Sequence, residues 1–381
     1  MSKYANIIVD ISHEKLDKTL QYSIPQELLS FIKVGVAVEV PFGRRTISGY
    51  VIELTDEPEF DVEKIKPIKC IKEGSVAIES QLIELAGWIK DNYGSTMNQA
   101  LKTVIPIKKE TKAIVKRTIH LLLSEEEARR KLVIFEAKNQ TARARLLREL
   151  IKAKSLDYAI VTGKLNVTAP VIKSFCEQKI IEIESSNDYR NPISHLTSRG
   201  YDISLNDEQQ NVVDTITRDF AAGETYTYLL KGVTGSGKTE VYMELIAHMI
   251  ARGKQAIVLI PEIALTFQTV MRFYNRFGDR VSIMNSRLSA GERYDQFQRA
   301  KNGDIDIMIG PRSALFTPFS NIGIIIIDEE HENSYKSETS PRYHAREVAI
   351  KRAQMNGACV VLGSATPSVD SYYNAQNGTY K

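Results

Sequence analysis

The alternation of apolar and polar positions changes twice along the chain and divides it into three regions and a linker. In the first region, short apolar runs are interrupted by glycine and proline, which predicts a small β-barrel or curled sheet. The predicted strands are Asn6–Ile11, Leu20–Ile24, Val36–Phe42 and Thr46–Leu54. A helix should follow over Glu79–Tyr93, where apolar residues recur at helical spacing and Gly94 suits a C-cap. We therefore assign residues 1–106 to a small β-rich domain.

Residues 107–185 have a mixed pattern that predicts a second, smaller domain. The predicted elements are a strand Thr118–Leu123, helices Thr141–Lys152 and Ala169–Gln178, and a strand Ile180–Glu184. Helices that lead into a short hairpin favour a winged-helix-like α+β domain. Residues 186–204 are rich in Ser, Asn, Asp, Pro and Gly, which is typical of a linker.

The third region, residues 205–381, alternates between apolar strands and helical segments of ten or more residues. The predicted strands are Tyr226–Lys231, Ala256–Ile260, Val281–Met284, Ile305–Ile309, Ile322–Asp328 and Cys359–Gly363. This alternation predicts an α/β fold with a parallel sheet and helices on both faces. Such sheets bind ligands at the carboxyl ends of their strands, so we expect functional residues in the loops that follow them.

The composition agrees with a chain that builds globular cores. Of its 381 residues, 43% are hydrophobic and 25% are charged, and the length corresponds to two or three domains. The longest nearly unbroken apolar run, Ile322–Ile327, is far shorter than the roughly 20 residues that span a bilayer. The first ten residues lack the apolar stretch of a secretory signal, and the three cysteines lack zinc-binding spacing. We therefore expect a cytoplasmic protein with no membrane partner.

The formal charge of +3 is unevenly distributed. Residues 1–200 carry 31 basic and 26 acidic residues, whereas the remaining residues carry 19 and 21. A basic half hints at a polyanionic partner, but an imbalance of this size is as often only a solvated surface. The choice between these interpretations depends on the motifs.

A glycine-rich segment after the first strand of the third region carries the strongest chemical signal. Residues 232–239 read GVTGSGKT and match G-x-x-x-x-G-K-[ST] between a predicted strand and a predicted helix. The glycines let backbone N–H groups point at a polyphosphate, Lys238 reaches the β and γ phosphates, and the Thr239 hydroxyl binds Mg²⁺. The match predicts ATP or GTP binding rather than an ordinary strand-to-helix loop. The residues assigned to the nucleotide are Gly232, Thr234, Gly235, Ser236, Gly237, Lys238 and Thr239.

A second signal lies at the end of the apolar strand Ile322–Ile327, which is followed by Asp-Glu-Glu-His. Asp328 would hold Mg²⁺ through water, and Glu329 would orient or deprotonate the water that attacks the γ-phosphate. The alternative is a helix N-cap with acidic residues in its first turn. With the phosphate-binding loop upstream, the pattern favours hydrolysis, and Lys238, Asp328 and Glu329 are the predicted catalytic residues.

Two weaker segments complete the series. Gly363–Pro367 ends the last predicted strand with two hydroxyls, and Leu205–Gln209 opens a helix in which Gln209 could reach an adenine edge. In order and spacing, the four segments resemble the Q motif and motifs I, II and III of superfamily 2 helicases. The resemblance implies a P-loop (RecA-like) helicase lobe that hydrolyses ATP and couples hydrolysis to movement. The coupling residues that it indicates are His331, Ser364 and Thr366.

Two further segments narrow the resemblance to the replication-restart DNA helicases. Residues 259–266 (LIPEIALT) and 309–316 (IGPRSALF) look like motifs Ia and Ib of that family, which implies contact with single-stranded DNA. Each segment follows a predicted strand and supplies donors suited to phosphates, although plain helix starts would explain either one alone. The DNA-binding residues assigned here are Thr266, Arg312 and Ser313.

The segment 335–346 resembles the aromatic-rich loop that the same family has between motifs II and III. The resemblance implies that this loop couples DNA binding to hydrolysis. Tyrosines interleaved with arginines suit base stacking and cation–π contact with an unpaired strand, although a packed surface turn has this composition about as often. We assign Tyr335, Tyr343 and Arg346 to DNA contact.

The front of the chain resembles the same family through residues 35–45 (GVAVEVPFGRR) and 48–51 (SGYV). The resemblance implies an N-terminal domain that captures the 3′ end of a nascent strand at a fork. The matching pocket positions are Leu20, Gln21, Tyr22, Gly43 and Lys66. The family often has Phe-Asp-Tyr where this chain has Leu-Gln-Tyr, but the amide oxygen of Gln21 can still accept the hydroxyl proton. Asn285 also departs from the family, which usually has His there.

The resemblance as a whole implies an ATP-dependent 3′-to-5′ DNA helicase of replication restart, which assembles the primosome at stalled or repaired forks. Family members continue after motif III into a second lobe with an arginine finger and into a zinc module, so zinc is expected only there. The implied partners are forked and single-stranded DNA, single-stranded-DNA-binding protein and primosome proteins. We expect these 381 residues to bind ATP and Mg²⁺ but to turn over slowly without a second lobe.

Two other functions remain open from the sequence. One is a fork-DNA-binding adaptor that binds nucleotide without appreciable hydrolysis, and turnover in the intact gene product distinguishes it. The other is an unrelated superfamily 2 translocase, such as a restriction-enzyme motor subunit. The GPRSALF and GVAVEVPFGRR segments argue against the second of these.

Overall fold

The computed structural model describes residues 3–11, 17–72, 77–105, 114–190, 192 and 204–381. The chain forms two compact units, one from residues 1–111 together with 191–381 and the other from residues 112–190. The N-terminal β-rich region and the α/β region, predicted as separate domains, therefore belong to one unit. Residue 191 and residues 193–203 of the predicted linker lie outside the described residues. In the described part of the chain, every helix is too short or too polar to cross a membrane.

The N-terminal part of the first unit is an antiparallel sheet followed by two helices, which confirms the predicted β-rich start. The strands are β1 (Tyr4–Val9), β2 (Leu20–Ser23), β3 (Ala37–Phe42), β4 (Arg45–Thr55) and β5 (Cys70–Ile71), in the spatial order β2-β1-β4-β3-β5. Helix α1 (Ser80–Tyr93) ends at Gly94, whose φ of +58° lies in the left-handed region. Helix α2 (Met97–Val104) begins with a capping box. The sequence pattern predicted α1 but missed α2 and β5.

The described residues of the second unit form four helices and a three-stranded antiparallel sheet. Its elements are β6 (Ile114–Leu121), α3 (Glu125–Ala137), α4 (Thr141–Ala153), β7 (Ser155–Asp157), α5 (Tyr158–Gly163), α6 (Ala169–Glu177) and β8 (Ile181–Asp188), with the strand order β7-β6-β8. Leu147 and Phe175 are fully buried in its core. The sequence pattern missed α3, in which only Ala128 and Phe135 are buried. Strand β8 extends into the range predicted as linker, and the winged-helix assignment stays a prediction.

The α/β part of the first unit has six parallel strands at the predicted places. The strands are β9 (Thr227–Lys231), β10 (Gln255–Leu259), β11 (Val281–Ile283), β12 (Ile307–Gly310), β13 (Ile322–Asp328) and β14 (Cys359–Ser364), in the order β11-β12-β10-β13-β14-β9. The helices are α7 (Asp207–Ala221), α8 (Lys238–Ala251), α9 (Phe267–Phe277), α10 (Ala290–Asn302), α11 (Ala345–Asn356) and α12 (Val369–Gln376). The predicted parallel-sheet α/β fold is confirmed.

Both faces of this sheet are covered, because the side chains of its strands alternate between two apolar cores. On β13, Ile325 and Ile327 face one core, whereas Ile324 and Ile326 face the other. Helices α7, α8 and α9 pack into the second core, and α11 packs into the first. Helices α1 and α2 of the N-terminal part also pack into the first core. A single core therefore holds the N-terminal helices against the α/β sheet.

The strand order places the predicted motifs along one edge of the sheet. Strand β9 precedes the phosphate-binding loop, and it neighbours β14 of motif III, which neighbours β13 of motif II. Strands β10 and β12, which precede motifs Ia and Ib, lie on the other side of β13. Because all these strands are parallel, their loops leave from the same edge. Strand β13 thus separates the predicted nucleotide side from the predicted DNA side.

Replacing Leu85 with Ala should destabilise the α/β sheet as well as α1, because Leu85 is fully buried in the shared core. Loss of a buried leucine side chain costs about 2–5 kcal/mol. Hydrogen exchange of the β13 amides measures the free energy of the opening that exposes this strand. We expect this opening free energy to fall by about 2–5 kcal/mol in Leu85→Ala.

Leu147→Ala is the matched control, since Leu147 is equally buried but lies in the second unit. This variant should leave the exchange of the β13 amides unchanged. If Leu85→Ala also left it unchanged, the N-terminal helices and the α/β sheet would unfold independently.

Candidate functional site

A cavity of about 690 Å³ opens at the carboxyl edge of the sheet, between the phosphate-binding loop and the end of β13. It is lined by residues 234–240 of the loop and α8, by Asp328 and Glu329, and by Gln209 of α7. Gly232 lines a smaller cavity of about 150 Å³ that shares residues with the first. The structure therefore brings together the residues that the sequence assigns to nucleotide binding and hydrolysis.

The phosphate-binding loop has a backbone conformation that favours glycine. Gly235 and Gly237 have φ angles of +80° and +81°. A Cβ on Gly237 would lie 2.3 Å from Nε2 of Gln209, so the Gln209 side chain would have to move to admit one. Lys238 opens α8 and donates from Nζ to the carbonyl oxygen of Gly232 at 2.7 Å. Its ammonium group is thus held at the loop, where a polyphosphate can replace the carbonyl as its partner.

Gln209 connects helix α7 to the phosphate-binding loop. Its Oε1 accepts from the backbone N–H of Asn206 at 2.9 Å, which forms a capping box, and its Nε2 donates to the carbonyl of Ser236 at 2.9 Å. Both ends of the amide therefore have protein partners. The predicted contact with an adenine edge stays a prediction, and the structure adds a bond to the loop that sequence reasoning missed.

The carboxylate of Asp328 is held by Tyr242, a residue that sequence reasoning also missed. The Tyr242 hydroxyl, on α8, donates to Oδ1 of Asp328 at 3.0 Å. Burial raises the pKa of Asp328, and the hydrogen bond from Tyr242 opposes that rise. A Cβ at Gly363 would lie 1.6 Å from the Tyr242 hydroxyl, so β14 needs glycine here. Tyr242 lies one helical turn after Lys238 on the same face of α8, and this spacing is the signal that could have found it.

The cavity also offers the oxygen donors that suit Mg²⁺. The hydroxyl-bearing Thr239 and the carboxylate-bearing Asp328 line the same cavity. Mg²⁺ is commonly bound through one or two protein oxygens together with substrate phosphates and several waters. The residues present therefore fit a magnesium ion that arrives with a nucleotide.

The predicted coupling residues form a continuous set of contacts. Nδ1 of His331 lies 2.7 Å from Oγ of Ser364, and the same nitrogen lies 3.6 Å from the carboxylate of Glu329. Thr366 joins through its backbone N–H, which donates to Oγ of Ser364 at 3.0 Å, while its residue is exposed. Glu329 has a φ of +47°, a left-handed conformation that is uncommon for a residue with a side chain. Motifs II and III are therefore bonded directly to each other beside the nucleotide cavity.

Tyr335 does not project toward solvent, as a base-stacking residue would. It is 1% exposed, and its hydroxyl contacts the carbonyl oxygens of Leu259 at 3.0 Å and Asp328 at 2.6 Å. These carbonyls end β10 and β13, which lead to motif Ia and motif II. Tyr335 therefore joins the predicted DNA side of the sheet to the nucleotide side from within the protein.

Tyr343 and Arg346 are internal as well. The Tyr343 ring packs edge-on against Phe316 with the ring centroids 5.6 Å apart, and Arg346 pairs with the buried carboxylate of Glu330 at 3.1 Å. The expected direct contact with DNA is thus corrected for Tyr335, Tyr343 and Arg346, because protein already encloses their rings and charge. The sequence could not distinguish a packed aromatic turn from a stacking surface, since both use the same residue types.

A second cavity, of about 600 Å³, lies on the other side of β13 and is lined by three of the predicted DNA-binding residues, Arg312, Ser313 and Tyr335. Arg312 donates from Nη1 to the carbonyl of Lys336 at 2.5 Å, which ties motif Ib to the aromatic segment. Lys336 itself is exposed and also lines this cavity. Thr266 is exposed outside the lining, where its side chain caps α9. Lys336 and Arg293 are the basic lining residues that the sequence analysis did not single out.

Asn285, which departs from the resembled family, has a structural role at the edge of the second cavity. Its Oδ1 accepts from the backbone N–H groups of Arg287 at 3.0 Å and Leu288 at 3.1 Å. These bonds close the turn that leads into α10. An amide oxygen thus organises the turn at this position.

Among the N-terminal pocket positions, Gln21 is not presented as a free acceptor. Its Oε1 accepts from the backbone N–H of Glu59 at 2.7 Å, and its Nε2 donates to the carbonyl of Glu57 at 3.1 Å. Gln21 is 6% exposed, so its amide fastens the acidic loop 57–59 to β2. The expectation that this oxygen meets a 3′-hydroxyl is corrected accordingly, because burial and two internal bonds occupy the amide.

Of the other pocket positions, Leu20 and Tyr22 lie on the opposite face of β2, which packs into the core. Tyr22 is buried and donates from its hydroxyl to the carbonyl of Pro41 at 3.1 Å, next to the exposed Gly43 turn. Leu20 packs partly buried against the same core, and the carbonyl of the exposed Lys66 accepts from the backbone of β2. Gly43 and Lys66 are thus exposed, whereas Tyr22 is buried and Leu20 is partly buried.

Two family models match the chain. One describes a 3′ DNA-binding domain and matches residues 6–106, and the other describes a DEAD/DEAH box helicase and matches residues 206–375. These matches confirm the resemblance drawn from the front segments and from the ATPase motifs.

Several curated relatives carry the name replication restart protein PriA. The one from Bacillus subtilis (strain 168) is 33% identical over an alignment of 442 positions, which covers 99% of this chain and 55% of the relative. The one from Chlamydia trachomatis is 37% identical over 385 residues, which cover 99% of this chain and 50% of the relative. The chain therefore spans about half the length of these relatives. Among solved structures, the Pyrococcus furiosus Hef helicase domain is 15% identical with a TM-score of 0.33, and the match covers 45% of this chain and 35% of that one.

Replacing Tyr242 with Phe should weaken nucleotide binding in the presence of Mg²⁺ by about tenfold, because a hydrogen bond to a charged group contributes roughly 1.5–3 kcal/mol. Without this donor the pKa of Asp328 rises further, so the carboxylate loses its charge at a higher pH as the solution is acidified. The loss of affinity should therefore grow as the pH falls. Titration with a fluorescent nucleotide at several pH values measures this effect.

Tyr274→Phe is the matched control, because Tyr274 is a buried tyrosine that donates to Asp279 at 3.1 Å outside the cavity lining. This variant should bind nucleotide like the unaltered chain. Equal effects of the two substitutions would mean that Tyr242 acts only through stability.

Proposed function

Because the chain is PriA-like along almost its whole length, we propose that it forms the nucleotide-binding and DNA-end-binding part of an ATP-dependent 3′-to-5′ DNA helicase of replication restart. The observation that carries this proposal is the single cavity in which the phosphate-binding loop faces Asp328 and Glu329. A loop that binds phosphate beside an acidic pair is the arrangement that nucleotide hydrolysis requires. The neighbouring cavity on the other side of β13 supplies a place for the DNA strand.

Each residue of the first cavity has a role in this proposal. The backbone N–H groups of the glycine-rich loop and Lys238 hold the β and γ phosphates, and Gln209 keeps the loop against α7. Thr239 and Asp328 would hold Mg²⁺, which would neutralise phosphate charge when bound. Glu329 orients the attacking water and accepts its proton. The His331–Ser364 contact then reports the state of this site to motif III.

The proposed DNA interactions occupy two surfaces. Arg312, Ser313 and Lys336 line the second cavity, where they can meet the phosphates of a single strand. Thr266 adds an exposed hydroxyl at the start of α9. In the N-terminal part, the exposed Gly43 turn and Lys66 form the place where a 3′ end binds.

The remaining parts of the proposal rest on the PriA-like sequence. We place the protein in the cytoplasm, with forked DNA as substrate and with single-stranded-DNA-binding protein and primosome proteins as partners. A second helicase lobe and a zinc module would complete the motor. The alternative is an adaptor that binds nucleotide without appreciable hydrolysis. If the intact gene product showed no ATP turnover, that result would favour the adaptor function.

The 381-residue chain should bind nucleotide but release phosphate slowly on a forked substrate, because a second lobe normally contributes an arginine finger worth about 10³–10⁵ in rate. Lys238→Ala should lower nucleotide affinity by at least about tenfold, since it removes a charge-assisted bond to phosphate. Equilibrium nucleotide titration and steady-state phosphate release measure the two quantities.

Lys254→Ala is a suitable control, because Lys254 is a lysine of the same lobe that bonds Asn321 outside the lining of the first cavity. It should leave nucleotide affinity unchanged. A turnover of a few per second by the chain alone, abolished in Lys238→Ala, would contradict the expected dependence on a second lobe.

Fork binding should weaken by about tenfold or more when the 3′-hydroxyl of the leading strand is replaced by a phosphate. The acidic loop 57–59 is fastened beside β2 by Gln21, and like charges brought together at an interface are repelled. Fluorescence anisotropy with the two forks measures the difference. A fork that carries the extra phosphate on the 5′ end of the same strand is the control, and equal affinity for all three forks would show that the N-terminal pocket is not used.

A further inference from the structure

Glu330 is the one acidic residue of motif II that faces away from the nucleotide cavity. It lies between Glu329 and His331, and it is 0% exposed. Its carboxylate accepts from Nη1 of Arg346 at 3.1 Å, from Oγ of Ser371 at 2.8 Å, and from both the backbone N–H and Oγ of Ser368 at 2.7 and 3.0 Å. A buried carboxylate with this many donors is fixed in position.

Arg346 holds the other side of this cluster. It lies in the first turn of α11, at the end of the aromatic segment 335–346, and only 6% of it is exposed. Besides Glu330, its Nη1 contacts the hydroxyls of Ser368 at 2.7 Å and Ser371 at 2.9 Å. Ser368 is the N-cap of α12, the helix that follows motif III. The Glu330–Arg346 pair therefore fastens the motif II turn to both α11 and α12.

The residue immediately before Glu330 has a backbone that needs such support. Glu329 has a φ of +47°, and the left-handed region is unfavourable for a residue with a side chain. The conformation is held on both sides, because the N–H of Glu330 donates to the carbonyl of Gly363 at 3.0 Å and the carbonyl of Glu329 accepts from Glu332 at 2.9 Å. This turn directs Glu329 toward the nucleotide cavity and Glu330 into the interior.

We propose that Glu330 and Arg346 are a positioning pair for Glu329, and that Arg346 contributes to ATP hydrolysis through this pair rather than by contact with DNA. The proposal rests on the proposed function, since it assumes that Glu329 activates water. The hydrogen bonds of the buried Glu330 carboxylate stabilise the strained turn. The positive charge of Arg346 compensates the negative charge of this buried carboxylate. Because α11 begins where the aromatic segment ends, the pair also links that segment to Glu329.

The first test uses Glu330→Gln and Arg346→Gln in the full 381-residue chain. Single-turnover hydrolysis, with protein in excess over ATP, measures even a slow chemical step. We expect the rate constant to fall by about tenfold or more in both variants, while the affinity for a non-hydrolysable ATP analogue changes by less than about threefold. Affinity for single-stranded DNA should stay the same. Arg346→Lys should recover part of the rate, because it restores the charge but not the planar fork of donors.

Asp219→Asn is the matched control for loss of stability. Asp219 is 7% exposed in the same unit, and its carboxylate accepts from Tyr228 at 3.0 Å and Lys381 at 2.9 Å. It lies outside the lining of the nucleotide cavity. This variant should lower the melting temperature to a similar extent as Glu330→Gln but leave the hydrolysis rate unchanged.

A second readout does not depend on turnover. The imidazole of His331 lies 3.6 Å from the Glu329 carboxylate, so its NMR chemical shifts at a fixed pH report where that carboxylate is. Glu330→Gln and Arg346→Gln should shift the His331 signals in the direction that Glu329→Gln does, and Asp219→Asn should not.

The outcomes separate failure of this proposal from failure of the proposed function. If the unaltered chain hydrolyses no ATP in single turnover, the proposed hydrolysis fails, while the His331 signals still decide whether the pair positions Glu329. If both Gln variants keep the rate and the His331 signals and lose only stability, as Asp219→Asn does, the pair is structural and the proposal is overturned. If Arg346→Gln loses DNA affinity with its rate intact, Arg346 is a DNA contact and the proposal is likewise overturned.

Discussion

Strand β13 is buried on both faces, and this constraint determines where the charged groups of the site can lie. Its apolar residues are enclosed between two cores, so polar side chains become possible only where the chain leaves the sheet at Asp328. Three acidic residues follow in succession and meet three environments. Asp328 is partly dehydrated, Glu329 faces the cavity, and Glu330 turns back into the interior. A carboxylate returned to the interior is tolerated only with several donors around it, and Arg346 is the charged one among them.

The sequence determined the sheet well because its signal is the burial pattern itself. All six strands of the α/β part were found, since runs such as Ile322–Ile327 have one physical explanation, a strand covered on both faces. Helix α3 was missed because only two of its side chains are buried, so the period that marks a helix was absent. The phosphate-binding loop and the acidic pair were found because their spacing follows from the chemistry of the ligand. The sequence therefore predicted the features whose pattern lies within a single continuous segment of the chain.

What the sequence could not reveal are the contacts between distant segments. Tyr242 and Asp328 are 86 positions apart, and Gln21 and Glu59 are 38 positions apart, so neither pairing leaves a local pattern. The sequence of the aromatic segment likewise could not show whether its tyrosines are buried or exposed. Its tyrosines fit a packed interior and an exposed stacking surface equally well, and only the positions of β10 and β13 decide that Tyr335 lies inside. Burial of a polar aromatic residue is a property of its surroundings, not of its own segment.

Helix α11 is the element through which these separate contacts meet. Arg346 bonds the motif II turn, and Arg352, a fully buried cation whose pKa is lowered to about 9 by burial, donates to the carbonyls that end the motif Ib turn. At the start of the same helix, Glu347 accepts from the hydroxyl of Tyr93, the last residue of α1. The N-terminal part is thus packed and bonded to the helix that also holds both sides of the site. Because closely packed interiors transmit displacement rather than absorb it, a force on the N-terminal part reaches motif Ib and motif II through one rigid element. A DNA strand bound there would act on the α/β sheet through these contacts, because the described residues of both parts share one core.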